Sequence, residues 1–364
     1  MNNTTETEVK HKEINSKVWY LLILPVLLLS ILVFAYFFMS EESIEQEQEF
    51  EEEVPIEVTT ERKLEGEIYL TLSPLGGVDE PNLYRLDIAS SELEPIFEEE
   101  EGIRNYMASF SSDLDNMVFV RSYEDDSSQI LILDKQTQEI TEVTSRSEFF
   151  LRNPSFSPDG EKILYWTYEN EENPWGVGVQ AEENSIYIST IDGTQEKIAQ
   201  GVYPFFTPTG DSIIFIKNDG LYSFDLENKS EELMINLFTA ESPISLPDRD
   251  LWGWGGLRAA YSQSDEALII TDYVNEKIHL FDVNSLSPFS YTEMISYDVN
   301  KPNWPTFAPL GGYFLIQEYE LIQDSSNPIL SFFLLEEGEP ERVHTFRINN
   351  YEVGYIWAAD WVVR

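Results

Sequence analysis

Residues 153–166 read N-P-S-F-S-P-D-G-E-K-I-L-Y-W, and this stretch constrains the fold more than any other. A short strand carrying Phe156 runs into a tight turn at Pro158-Asp159-Gly160, and a second strand follows at 163–167. Pro presets φ for the first turn position, and Asp and Gly tolerate the conformations after it. One such hairpin decides little, but degenerate copies recur along the chain.

Copies of this strand and turn lie at 108–113, 205–210, 260–265 and 306–311, each followed by an apolar strand. A second marker is a strand ending in Asp or its equivalent, at 83–87, 130–134, 186–192, 221–225, 278–282 and 330–335. A shorter strand usually follows it. Each unit therefore holds four strands, a to d, which is the pattern of a propeller blade. Six c strands stand against five a strands with turns. The first unit opens at strand b, 67–72, so the tail 356–361 is expected to supply the missing inner strand, with Trp361 at the aromatic position. That pairing closes the ring and removes exposed sheet edges.

These units resemble the WD40-like repeats of the TolB-type six-bladed β-propellers, whose hallmark is a Ser-Pro-Asp-Gly turn after an aromatic residue. The motif is intact at 156–160 and partial in the other units, and the resemblance covers roughly 66–364. It implies an all-β, six-bladed propeller of four-stranded blades over 64–364. It also implies a binding platform or scaffold in the cell envelope, commonly without catalysis.

The first 63 residues are of another kind. Residues 18–39 hold no charge and would span about 33 Å as a helix, close to one bilayer core. Trp19 and Tyr20 open the run and Tyr36, Phe37 and Phe38 close it, as interfacial aromatics do. Lys10, Lys12 and Lys17 precede it, so the positive-inside rule places 1–17 in the cytoplasm and the remainder outside. The bulky residues at 36–39 argue against a cleaved signal peptide. Residues 40–63 form an acidic linker with ten glutamates between 41 and 61 and no basic residue before Arg62. Such a run self-repels and extends.

Composition narrows the chemistry. There is no cysteine, which excludes disulfides and thiolate catalysis. The net charge of -45 disfavours nucleic acid. No serine elbow, paired-histidine zinc motif or Walker loop is present, and the three histidines read as surface or packing residues. No cofactor or metal is expected. A metal-dependent propeller hydrolase is the alternative class, and convergent carboxylates in the channel would favour it.

The a–b turns are tight, so long connections at 73–82, 122–128, 169–185, 239–256 and 318–327 are expected together on the opposite face, available to a protein or glycan partner. Trp175, Arg249, Trp252 and Trp254 fall in two of them. The inner strands begin on that face too, with Arg104, Arg152, Arg258 and Lys301 just ahead of their aromatic residues. Asn153, Asn303, Trp304 and Trp357 are expected to line the same mouth, where guanidinium groups suit carboxylate or phosphate.

Overall fold

The computed structural model describes residues 64 and 66–362 except 75–80, 99, 148–149, 169–183, 218–219, 237–256, 263, 274, 287–288, 309–310, 323–324, 336–339 and 348–352. The expected membrane span and acidic linker lie outside the described residues, as do the loop residues Trp175, Arg249, Trp252 and Trp254.

Among the described residues, six antiparallel four-stranded sheets follow one another along the chain. The first is built from β1 (Glu67–Pro74), β2 (Asn82–Asp87) and β3 (Leu93–Pro95), with β24 (Val353–Val362) as its inner strand. The second runs β4 (Ile103–Phe110), β5 (Asn116–Tyr123), β6 (Ser128–Asp134) and β7 (Ile140–Glu142). The third holds β8 (Phe150–Phe156), β9 (Lys162–Tyr168), β10 (Asn184–Thr190) and β11 (Gln195–Gln200). The fourth holds β12 (Val202–Phe206), β13 (Ser212–Lys217), β14 (Gly220–Asp225) and β15 (Ser230–Asn236). The fifth holds β16 (Leu257–Ser262), β17 (Ala267–Asp272), β18 (Lys277–Leu286) and β19 (Phe289–Asp298). The sixth holds β20 (Asn303–Phe307), β21 (Tyr313–Ile322), β22 (Ser325–Leu334) and β23 (Glu341–Arg347). This is a six-bladed β-propeller.

The tail closes the ring as its sequence position suggests. β24 pairs with β1 from Glu67↔Val362 to Pro74↔Val353, with Ile68 opposite Trp361. Trp361 is buried, and its ring packs edge-on against Phe332 of the sixth blade at 5.3 Å. The closing strand thus belongs to the first sheet by hydrogen bonds and touches the last by packing.

Both sequence markers have a local physical cause. At the a–b turns a hydroxyl and a carboxylate lock together: Ser157 to Asp159, Ser111 to Asp113, Ser262 to Asp265, Thr207 to Asp211. At the c–d turns the terminal Asp accepts backbone amides, as Asp134 does from Gln136 and Thr137, and Asp225 from Glu227 and Asn228. These are Asx turns, which is why the strands end in Asp.

Cores lie between the sheets. Strands β13 and β17 are buried on both faces, Ile213 to Ile216 and Leu268 to Ile270, because a neighbouring blade covers each side. Residue runs without alternation are expected there.

The structure corrects two of the expected loops. Residues 318–327 are not an open connection: β21 and β22 stay paired out to Ile322↔Ser325. Likewise β5 and β6 pair to Ser122↔Ser128, leaving a short turn around Asp126. Residues that read as loop at these places belong to the paired strands of a hairpin.

Candidate functional site: the channel mouth

The inner strands line up on their aromatic residue. Phe110, Phe156, Phe206, Tyr261, Phe307 and Trp361 each pair with the second residue of strand b, a fully buried apolar side chain in every blade. Three residues earlier stand Met107, Asn153, Tyr203, Arg258, Trp304 and Ala358. Of these, Met107, Asn153, Tyr203 and Trp304 have φ of 54°, 47°, 53° and 44°. Each lies in a bulge where the a–b register shifts, and a Pro follows in three of them. Non-glycine residues at positive φ are uncommon, and bulges re-aim side chains. Here the strained residues of four blades face one central cavity.

That cavity encloses about 190 Å³. Every inner strand contributes to it: Met107 and Ser109 from β4, Asn153 from β8, Tyr203 and Phe205 from β12, Arg258 from β16, Trp304 from β20 and Asp360 from β24. Asn153, Arg258 and Trp304 all line this cavity. Trp357 lies on β24 too, one residue before Ala358, the counterpart of those channel positions.

Arg258 is buried. Its guanidinium carbon lies 3.5 Å from the Tyr203 ring centre and 4.8 Å from that of Trp304. Burial lowers its pKa, Tyr203 opposes that shift, and the charge of Arg152 adds to it. An arginine so placed still carries its charge. Arg152 itself lies 5.7 Å over Trp166, whose Nε1 donates to Asn153 Oδ1 at 3.2 Å. Trp166 and Trp304 each meet Tyr203 edge-on, at 5.3 and 6.1 Å. Two cations and three aromatic rings thus form a continuous ladder across blades three to six. The arginines are stacked on rings here, whereas Arg85 and Arg342 elsewhere are held by Glu67, Glu94 and Glu318.

The remaining predicted positions are peripheral. Asn303 is buried, and its Oδ1 accepts the Trp304 amide at 3.1 Å, fixing the bulge rather than facing the cavity. Arg104 is half-buried at the start of β4. Lys301 is held by Glu276 at 2.9 Å.

Sequence reasoning missed Asp360 and Tyr203. Asp360 keeps part of its surface open while its carboxyl is packed deep in the channel wall. Burial raises its pKa to about 6, against the backbone amides of Trp361 and Phe110 and the Ser109 hydroxyl, which hold it down. The repeat alignment carries the signal that was overlooked: Asp360 stands where the other blades have Ser109, Ser155, Phe205, Ala260 and Thr306.

Among the described residues, no group of three or more His, Asp or Glu could hold a metal ion, and the described lining contains one carboxylate, Asp360. On blade five, His279 Nδ1 meets Ser296 Oγ at 2.8 Å, and Nε2 lies 3.8 Å from Asp272 Oδ2. The second distance exceeds a hydrogen bond. The trio bridges β17, β18 and β19 and braces that blade.

No protein-family model matches the chain, and no curated protein matches it. Solved structures do. TolB from Acinetobacter baumannii aligns over 74% of this chain and 61% of its own, at 18% identity and a TM-score of 0.54. The chain thus spans less than two thirds of TolB. The nidogen/laminin complex aligns over 80% and 97%, at 11% identity and a TM-score of 0.53. The periplasmic gluconolactonase PpgL of Pseudomonas aeruginosa aligns over 78% and 84%, at 11% and 0.51. Identities this low speak to architecture, and the architecture is that of a TolB-like six-bladed β-propeller.

Proposed function

We propose that this chain is a single-pass membrane protein whose propeller is displayed outside the cytoplasm as a binding module. Its channel mouth engages an anionic group of a protein or glycan partner. The observation that carries this reading is the ladder of Arg152, Trp166, Tyr203, Arg258 and Trp304, whose last three members line the cavity. In a chain of net charge -45, Arg258 with Arg152 close by attracts anions where most of the surface repels them. Aromatic walls add stacking surface for a sugar or a peptide. Charge-free residues 18–39 and the lysines before them support the anchor and its orientation. One fold neighbour was solved in a complex of two proteins, nidogen and laminin, which supports a protein as one partner class.

The test uses the full chain in detergent. Inorganic phosphate, a uronate oligosaccharide and an acidic peptide are titrated by calorimetry against the unmodified protein and against Arg152→Gln/Arg258→Gln. At least one anion should bind, and the double substitution should weaken it tenfold or more. Binding that survives the substitution, or no anion binding at all, overturns the reading.

A further inference from the structure

The described lining of the channel contains two charged side chains of opposite sign, Arg258 and Asp360. Both interrupt the internal repeat. Arg258 occupies the position that holds Met107, Asn153, Tyr203 and Trp304 in other blades. Asp360 occupies the position of Ser109, Ser155, Phe205 and Thr306. A repeat that is free to place small or aromatic residues at twelve equivalent points, six blades at two positions each, places a charge at two. Both of those charges border the same space, and they come from blades five and one, which are not adjacent.

Burying either charge is costly unless its surroundings compensate. Arg258 lies against the Tyr203 ring and beside that of Trp304. Asp360 is supported by the Ser109 hydroxyl and two backbone amides. Each charge is only partly compensated by its own wall, so a ligand group of opposite sign would offset the remaining cost of burying it. A guanidinium selects carboxylate or phosphate, and a carboxylate selects ammonium. The rest of the lining mixes apolar and aromatic residues, Met107, Phe205 and Trp304 among them, with the uncharged polar residues Ser109, Asn153 and Ser155. At about 190 Å³ the space exceeds an engineered cavity of ~150 Å³ that accepts benzene.

We propose that the channel binds a small zwitterion, its anionic group on Arg258 and its ammonium on Asp360, with a short apolar spacer between. This rests on the anion-binding reading above and adds the second charge to it.

The experiment compares matched ligands on the full chain in detergent by calorimetry. The pairs are glycine with acetate, 4-aminobutyrate with butyrate, 6-aminohexanoate with hexanoate, and phosphoethanolamine with ethyl phosphate. One zwitterion in the series should bind at least tenfold more tightly than its partner that lacks the amine. Asp360→Asn should bring that ratio to about one, and Arg258→Gln should abolish binding of both members. If anions bind but no amine strengthens them, the zwitterion inference fails and the anionic mouth stands. If neither member of any pair binds, both fail. The ratio in the unmodified chain is decisive by itself, so a variant that does not fold leaves the inference falsifiable.

Discussion

The guanidinium of Arg258 lies face-on to the Tyr203 ring, 3.5 Å from its centre, although the two residues come from neighbouring blades. The stack joins β16 to β12 at the channel wall, away from bulk water. Desolvated cation–π pairs contribute about 2 kcal/mol. A double-mutant cycle of Tyr203→Leu and Arg258→Gln, read by urea unfolding, should give a coupling of about 1–2 kcal/mol. Additivity within about 0.3 kcal/mol would mean that the stack contributes nothing to joining the blades.

Two glycines at positive φ should respond differently to alanine. At Gly160, φ is +75° and an added Cβ would meet nothing within 4 Å. Only backbone strain opposes Gly160→Ala, about 1–2 kcal/mol. At Gly201 the added Cβ would sit 2.5 Å from Phe215 Cδ2 and 2.8 Å from the Ile216 carbonyl. Overpacking against fully buried Phe215 adds about 1–3 kcal/mol to the strain. Gly201→Ala should therefore lose more stability than Gly160→Ala, and equal urea midpoints would contradict the packing around Gly201.

Most of the blades were legible in the sequence because they are built on local hydrogen-bond devices. A Ser or Thr locked to an Asp leaves a mark such as Ser157–Asp159, and a capped c strand leaves its Asp. Ring closure was legible from Trp361, since the inner strands share an aromatic position. The channel was only partly legible. Arg258, Asn153 and Trp304 stood out as strand-start residues. Asp360 did not, because nothing in a sequence with 67 acidic residues singles out one that lines the channel. Tyr203 and Met107 gave no sign of positive φ, since a bulge imposes it through pairing rather than through a Gly or Asn. The long hairpin of β21 and β22 was hidden by Asp324, Ser325, Ser326 and Asn327, which read as loop.

Ring closure by the tail predicts a severe effect of truncation. Deleting 353–364 removes β24 and exposes the edge of β1 along its whole length. Unpaired edges promote association. The truncated chain should elute as aggregate or melt far below the intact one. Trp361→Ala keeps the strand but empties a buried aromatic site beside Phe332, costing about 3–5 kcal/mol. A soluble truncation with an unchanged melting temperature would refute closure by this strand.

Membrane orientation is accessible in cells. Protease added to intact cells or protoplasts should digest the propeller and spare a tag placed before residue 18. The lysines at 10, 12 and 17 motivate this expectation. Protection of the propeller would reverse or remove the proposed topology.

Asp360 makes stability depend on pH in a defined direction. Its pKa rises from 3.8 unfolded to about 6 folded, through burial in the channel wall. Between those values the folded state holds more protons than the unfolded one, so stability falls as pH rises through that window. Near pH 4 the penalty is largely gone, and it vanishes lower, where the carboxyl is protonated in both states; well above pH 6 it is fully present. A shift of this size corresponds to at most about 3 kcal/mol, less to the extent that the open part of the residue is solvated. Asp360→Asn keeps an acceptor for the Ser109 hydroxyl and removes the charge. The variant should be more stable than the unmodified chain at pH 8, by about 1–3 kcal/mol, with most of the difference gone near pH 4. Urea unfolding at the two pH values reads it directly. A constant difference across that range would mean that Asp360 does not titrate between them, and that its carboxyl is not the buried group the channel geometry describes.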